Sequence, residues 1–167
     1  MAGPEIEFEM SVFSKISQAL GVTKSDWIHV QPSRGVSRPD ALIRKVDGSD
    51  FVVQLKYYPD SNQDLHFGTL AETAASADAI SDLVGKPVGG IVVTNAEVPP
   101  SLHEMAGDMG LKIFSVKQSS GSKELSKLMG DIAREPGGDV TFETMSVAKD
   151  PSAPTVETRS IKRRFKL

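Results

Sequence analysis

Residues 38–58 read RPDALIRKVDGSDFVVQLKYY, and how this stretch pairs with itself decides the fold around it. ALIRKV (41–46) and FVVQLKYY (51–58) are rich in β-branched and aromatic residues, which fit a pleated, half-buried surface. DGSD (47–50) between them is a turn signal, so the two runs predict a β-hairpin. Side chains alternate across a strand. Val52, Gln54, Lys56 and Tyr58 therefore share one face, which presents an amide and an ammonium close together. Phe51, Val53, Leu55 and Tyr57 share the other, the expected core face. Asp40 lies fourteen positions before Gln54, and closing the hairpin brings it back beside residues 54–56. It faces the same way only if the connection is odd in length or bulged around 47–49, which Gly48 permits.

Outward from the hairpin, helical and strand periods alternate. Upstream, Phe8, Val12, Ile16 and Leu20 recur every four residues between Pro4 and Gly21, which predicts an amphipathic helix with a proline start and a glycine stop. DWIHVQ (26–31) alternates as a strand does. Downstream, Phe67, Leu70, Ala74, Ala77, Ile80 and Val84 fall at helical spacing within 64–84, an alanine-rich stripe stopped by Gly85 and Pro87. VGGIVVT (88–94) is the continuous apolar run of a strand buried on both faces. PPSLHEMAGDM (99–109) reads as a helix ended by Gly110, and LKIFSV (111–116) as a strand. SKELSKLMGDIAR (122–134) reads as a helix with Ser122 as N-cap and Leu125, Leu128, Met129 and Ile132 on one face. DVTFETMSVA (139–148) supplies an added strand. The strand–helix–strand unit at 88–116 needs a crossover, so part of the sheet is expected to be parallel, while the hairpin makes another part antiparallel. The fold class is α/β, a mixed sheet flanked by helices.

The 167 residues suit one domain, placed at 1–148, followed at 149–167 by a flexible linker, KDPSAPTVETRS, and a basic tail. Hydrophobic residues make up 39% and charged residues 25%, and no apolar run is long enough to span a bilayer, so no membrane partner is expected. MAGPEIEFEM lacks the basic and apolar segments of a signal peptide. Cysteine is absent, which excludes disulfides and thiolate metal sites and fits a cytoplasmic protein. His29, His66 and His103 are too scattered for zinc, and Trp27 and the methionines read as core. The net charge is −3, but the last eleven residues hold five basic groups (Arg159, Lys162, Arg163, Arg164, Lys166) against one acid, leaving −7 on residues 1–156. This asymmetry makes the tail a candidate arm for nucleic acid or an acidic partner.

A carboxylate at Asp40, the amide oxygen of Gln54 and the backbone carbonyl of Leu55 are hard oxygen ligands of the kind that suit Mg²⁺ or Mn²⁺. Lys56 beside them is placed to orient a water or neutralise a phosphate. That is chemistry for hydrolysing a phosphodiester. Each residue also has a plainer reading: Asp40 as a turn residue after Pro39, Gln54 as a solvated edge residue, and Lys56 as a lysine extending from an edge strand.

RPD followed by VVQLK resembles the PD-(D/E)xK nucleases, the restriction-endonuclease-like superfamily, with Gln54 pointing to its Mrr-like branch. EIEFEMSVFSKISQALGV is similar to that branch's opening helix, and GGIVVTNAEVPPSLHEMAGDMGLKIFSV to its later strand–helix–strand stretch. The wording RGVSRPD also resembles the archaeal Holliday-junction resolvases, which have an acid where Gln54 stands. The resemblance implies a restriction-endonuclease-like core and a metal-dependent DNA endonuclease. In it Asp40 is the metal-binding aspartate, Gln54 replaces the second acid, Lys56 is the catalytic lysine, and Glu9 (or Glu7) is the helix acid that completes the metal set. Glu5, Glu7 and Glu9 equally suit the positive end of the helix dipole. Arg34, Arg38 and Tyr58 join the tail as candidate DNA contacts. A non-catalytic nucleic-acid-binding or assembly module on the same fold, and a junction resolvase, are the alternatives. A homodimer, and a partner protein that supplies target specificity, remain open.

Overall fold

The computed structural model describes residues 3–27, 39–60, 62–117 and 120–145, with the side chains of 24–27 and 145 left aside. In chain order the elements are α1 (Pro4–Leu20), β1 (Lys24–Trp27), β2 (Ala41–Lys45), β3 (Asp50–Lys56), α2 (Phe67–Val84), β4 (Val88–Thr94), α3 (Pro100–Asp108), β5 (Leu111–Ser115), α4 (Gly121–Arg134) and β6 (Val140–Met145). Helix ends fall where the glycines predict them. Gly21, Gly85 and Gly110 follow α1, α2 and α3 with φ of 71°, 74° and 74°, the left-handed conformation that favours glycine.

The strands form one mixed sheet in the order β1-β6-β2-β3-β4-β5. β2 and β3 are the antiparallel hairpin, with Ala41 opposite Val53, Leu42 opposite Val52 and Ile43 opposite Phe51. An odd run, residues 44–50, joins the last of these pairs, as required for Asp40 to meet Gln54. β3, β4 and β5 run parallel through the α2 and α3 crossovers. β6, the expected added strand, enters between β1 and β2, parallel to the first and antiparallel to the second.

Helices cover both faces of the sheet. On one face Val12, Phe13, Ile16 and Leu20 of α1 and Leu125, Met129 and Ile132 of α4 pack on Ala41, Ile43, Val53, Leu55, Ile91 and Phe142. On the other, Ala77 and Ile80 of α2 pack on Leu42 and Val52, and Leu102 and Ala106 of α3 join Val92, Leu111 and Ile113. The expectation that only one face of β3 is core is therefore corrected: Val52 is fully buried beneath α2. Gly90 fits this close layer because a Cβ there would lie 2.3 Å from Leu111 Cδ2 and 3.1 Å from Thr73 Cγ2.

Further details differ from the sequence reading. The buried stripe of α2 is hydroxyl-rich, with Thr69, Thr73 and Ser76 beside Leu70, Ala77, Ala79 and Ile80. Phe67 is 49% exposed, because the first side chain of a helix points back past its N-terminus and here has no neighbour to cover it. The N-cap position of α4 is Ser120, not Ser122, and its side chain makes no capping hydrogen bond. Met10 and Met105 are exposed rather than core. The expected strand at 26–31 is described only up to Trp27, within β1, and its remainder lies outside the described residues.

Candidate functional site

The hairpin register, carried one step beyond Ala41–Val53, puts Asp40 opposite Gln54. Asp40 N–H donates to Val53 O at 3.0 Å, which fixes the backbone just before β2. The carboxylate turns toward the end of β3. Its Oδ2 accepts from Gln54 Nε2 at 3.1 Å and from Leu55 N–H at 2.8 Å. Asp40 is only 5% exposed, so its charge is held by directed donors rather than by bulk water. A strand residue projects its N–H and C=O to the same side, so the Leu55 carbonyl faces the edge that Asp40 caps.

Gln54 is half-buried. With Nε2 given to Asp40, its Oε1 is a buried oxygen that accepts no hydrogen bond among the described residues. Such an atom is costly unless something electropositive meets it. A divalent cation is one such partner, and turning the amide over would bring Oε1 to the Asp40 side. The donor set of carboxylate, amide oxygen and backbone carbonyl thus fits a hard cation with several remaining waters. Among the described residues no three His, Cys, Asp or Glu side chains converge on one point.

Lys56 is exposed at the end of β3, two residues beyond Gln54 and on its face. Its Nζ stands 5.6 Å from the centroid of the Tyr58 ring. Tyr58 itself is 5% exposed, with its hydroxyl accepting from His66 N–H at 3.2 Å. Tyr58, expected as a DNA contact, is thus largely enclosed, and the Lys56 ammonium stands over its ring.

Glu9 is buried in the inward stripe of α1, whereas Glu5 and Glu7 stay exposed. Burial sets Glu9 apart from acids that merely suit the helix dipole in solvent. The rings of Phe8 and Tyr57, 5.6 Å apart, bring this part of α1 to the end of β3. Arg34, Arg38, Arg159, Lys162, Arg163, Arg164 and Lys166 lie outside the described residues.

One acidic residue near this region escaped sequence reasoning. Glu143 of β6 pairs with Leu42, which pairs with Val52, so it lies on the sheet face of Gln54 and is buried there. Its signal was obscured because FETM carries no turn or motif that announces which strand it joins. Elsewhere, an open groove follows edge strand β5 between α3 and α4, lined by His103, Lys112, Glu124, Lys127 and Asp131. Its mixed charges single out no ligand.

No protein-family model, curated protein or solved structure matches the chain. Among the described residues, no helix is long and apolar enough to cross a membrane.

Proposed function

We propose that the protein is a metal-dependent DNA endonuclease with a restriction-endonuclease-like core, and that Asp40, Gln54, Leu55 and Lys56 form its site. One observation carries this reading: a buried aspartate meets the Gln54 amide across the hairpin at 3.1 Å, with an exposed lysine two residues further along the same strand. Asp40, the Gln54 oxygen and the Leu55 carbonyl would hold Mg²⁺ or Mn²⁺, with Glu9 as an additional acid from α1. The bound cation supplies Lewis-acid stabilisation of charge on a phosphate and acidifies a coordinated water. The chain's own residues do the rest. Asp40 sets the position of the site against β3, and Lys56 balances developing negative charge at the scissile phosphate or orients the attacking water. DNA is the partner, and the basic groups outside the described residues are its proposed electrostatic contacts.

A second reading rests on a specific observation. Asp40 Oδ2 already accepts two N–H groups, and Gln54 adds no negative charge. A nucleic-acid-binding or assembly module on the same fold would keep this arrangement as a hairpin clasp without cleaving. Incubating purified protein with plasmid, single-stranded and four-way-junction DNA, in Mg²⁺, Mn²⁺ or EDTA, separates the two. The nuclease reading expects metal-dependent products that EDTA abolishes. Binding without any product selects the module, and exclusive cleavage of the junction selects a resolvase.

A further inference from the structure

β3 ends at Lys56, yet its pairing with β4 continues through a side chain. Asn95, just after β4, presents Oδ1 to Tyr58 N–H and Nδ2 to Tyr58 O, both at 2.8 Å. An amide that offers an acceptor and a donor to one residue's backbone acts as a strand partner would. Tyr58 is thereby fixed at the backbone. Its ring is then fixed by the apolar cluster of Leu65, Leu70, Val92 and Ala96. Its hydroxyl is fixed by His66 N–H, and the His66 ring stands 5.9 Å away at 58°. The ammonium of Lys56 lies 5.6 Å from the centroid of this restrained ring. That distance lies within the range of about 6 Å over which a ring's negative face attracts a cation.

We propose that Tyr58 is a positioning residue for Lys56, and that Asn95 acts through Tyr58 to the same end. A lysine on a flexible four-carbon stem reaches many places from a strand end. The clamped ring confines its ammonium to the face that also carries Gln54. The catalytic consequence rests on the nuclease reading; the confinement itself does not. A Phe retains the ring and loses only the hydroxyl contact, whereas a Leu retains apolar volume and loses the cation-attracting face.

The test uses the full chain with its lysines reductively ¹³C-methylated, which keeps their charge, and Lys56 assigned by its loss in Lys56→Arg. In wild type and Tyr58→Phe the Lys56 methyl resonance stands apart from those of solvent-exposed lysines through the ring current. In Tyr58→Leu it joins them. Unmethylated Tyr58→Leu also loses about tenfold to a hundredfold in kcat with KM little changed, as misplacement of a reacting group does, and Tyr58→Phe stays within about twofold of wild type. A Lys56 resonance already at the exposed position in wild type, or unmoved in Tyr58→Leu, overturns the proposal. So does a displaced resonance with kcat unaltered. If wild type cleaves no DNA while the resonance behaves as described, the nuclease reading falls and the confinement of Lys56 stands. Should Tyr58→Leu fail to fold, Asn95→Ala takes its place: it loosens the ring and draws the Lys56 resonance toward the exposed value, and an unmoved resonance contradicts the inference.

Discussion

Gln54 answers two opposed demands. Its Nε2 donates to Asp40 Oδ2, and its Oε1 is left buried without a hydrogen bond among the described residues. A glutamate there would reverse the balance, setting two carboxylates against each other in a partly buried place. Gln54→Glu is therefore expected to lower the melting temperature in EDTA and to bind Mg²⁺ more tightly than wild type, so that saturating Mg²⁺ raises its melting temperature by more than wild type's. Calorimetric titration checks the affinity, and equal affinities would place Gln54 outside the metal site. The meeting of Asp40 with Gln54 was legible in the sequence because it depends only on strand alternation and a short odd connection, both local properties. The enclosure of Tyr58 was not, because it depends on Asn95, His66 and Leu70, brought around it by the α2 crossover between β3 and β4. Lys45 was hidden for the same reason: a charged residue in a strand reads as solvent-facing, yet its buried Nζ donates to the carbonyls of Ile132 and Glu135 at the end of α4.

The hairpin depends as an element on its far end. Asp50 is fully buried, and its Oδ1 accepts from Lys86 Nζ at 2.9 Å and from Lys45 N–H at 3.0 Å. Lys86 Nζ also donates to Lys45 O at 2.7 Å, tying the segment between α2 and β4 to β2. Breaking such a buried pair by removing one partner costs on the order of 3–5 kcal/mol. Asp50→Ala is expected to lose stability in that range in urea unfolding, and a loss below about 1 kcal/mol would show that the network is not what holds the hairpin. The start of α4 has a steric basis. A Cβ on Gly121 would lie 1.8 Å from Ser115 O, so Gly121→Ala must push α4 away from β5. Overpacking of this kind costs about 1–3 kcal/mol, and here backbone meets side chain. A melting temperature equal to wild type's would contradict that contact. Periodicity located α4 to within a residue but assigned the N-cap to Ser122, because the helix start follows the close approach to β5 rather than a capping hydroxyl.

At the scale of the whole molecule, element order and the parallel half of the sheet followed from apolar periods and from the need for crossovers. The seat of β6 between β1 and β2 did not, since a strand's own pattern says that it is buried but not which strands flank it. The acidic balance of residues 1–156 and the basic tail belong to this scale too. If the tail is an arm for DNA, removing residues 159–167 weakens binding and flattens the slope of log K against log salt by a few units, at about 0.9 per phosphate neutralised. Unchanged affinity and slope, with an altered mass in solution, would instead assign the tail to subunit docking. The site itself is tested most directly by the single-turnover rate of DNA cleavage at saturating Mn²⁺, compared between wild type and Lys56→Ala at matched melting temperature. The account predicts cleavage by wild type and a rate lower by about 10²–10⁴-fold in the variant, the usual cost of losing one electrostatic or proton-transfer group. Equal rates, or no cleavage by wild type, would contradict it.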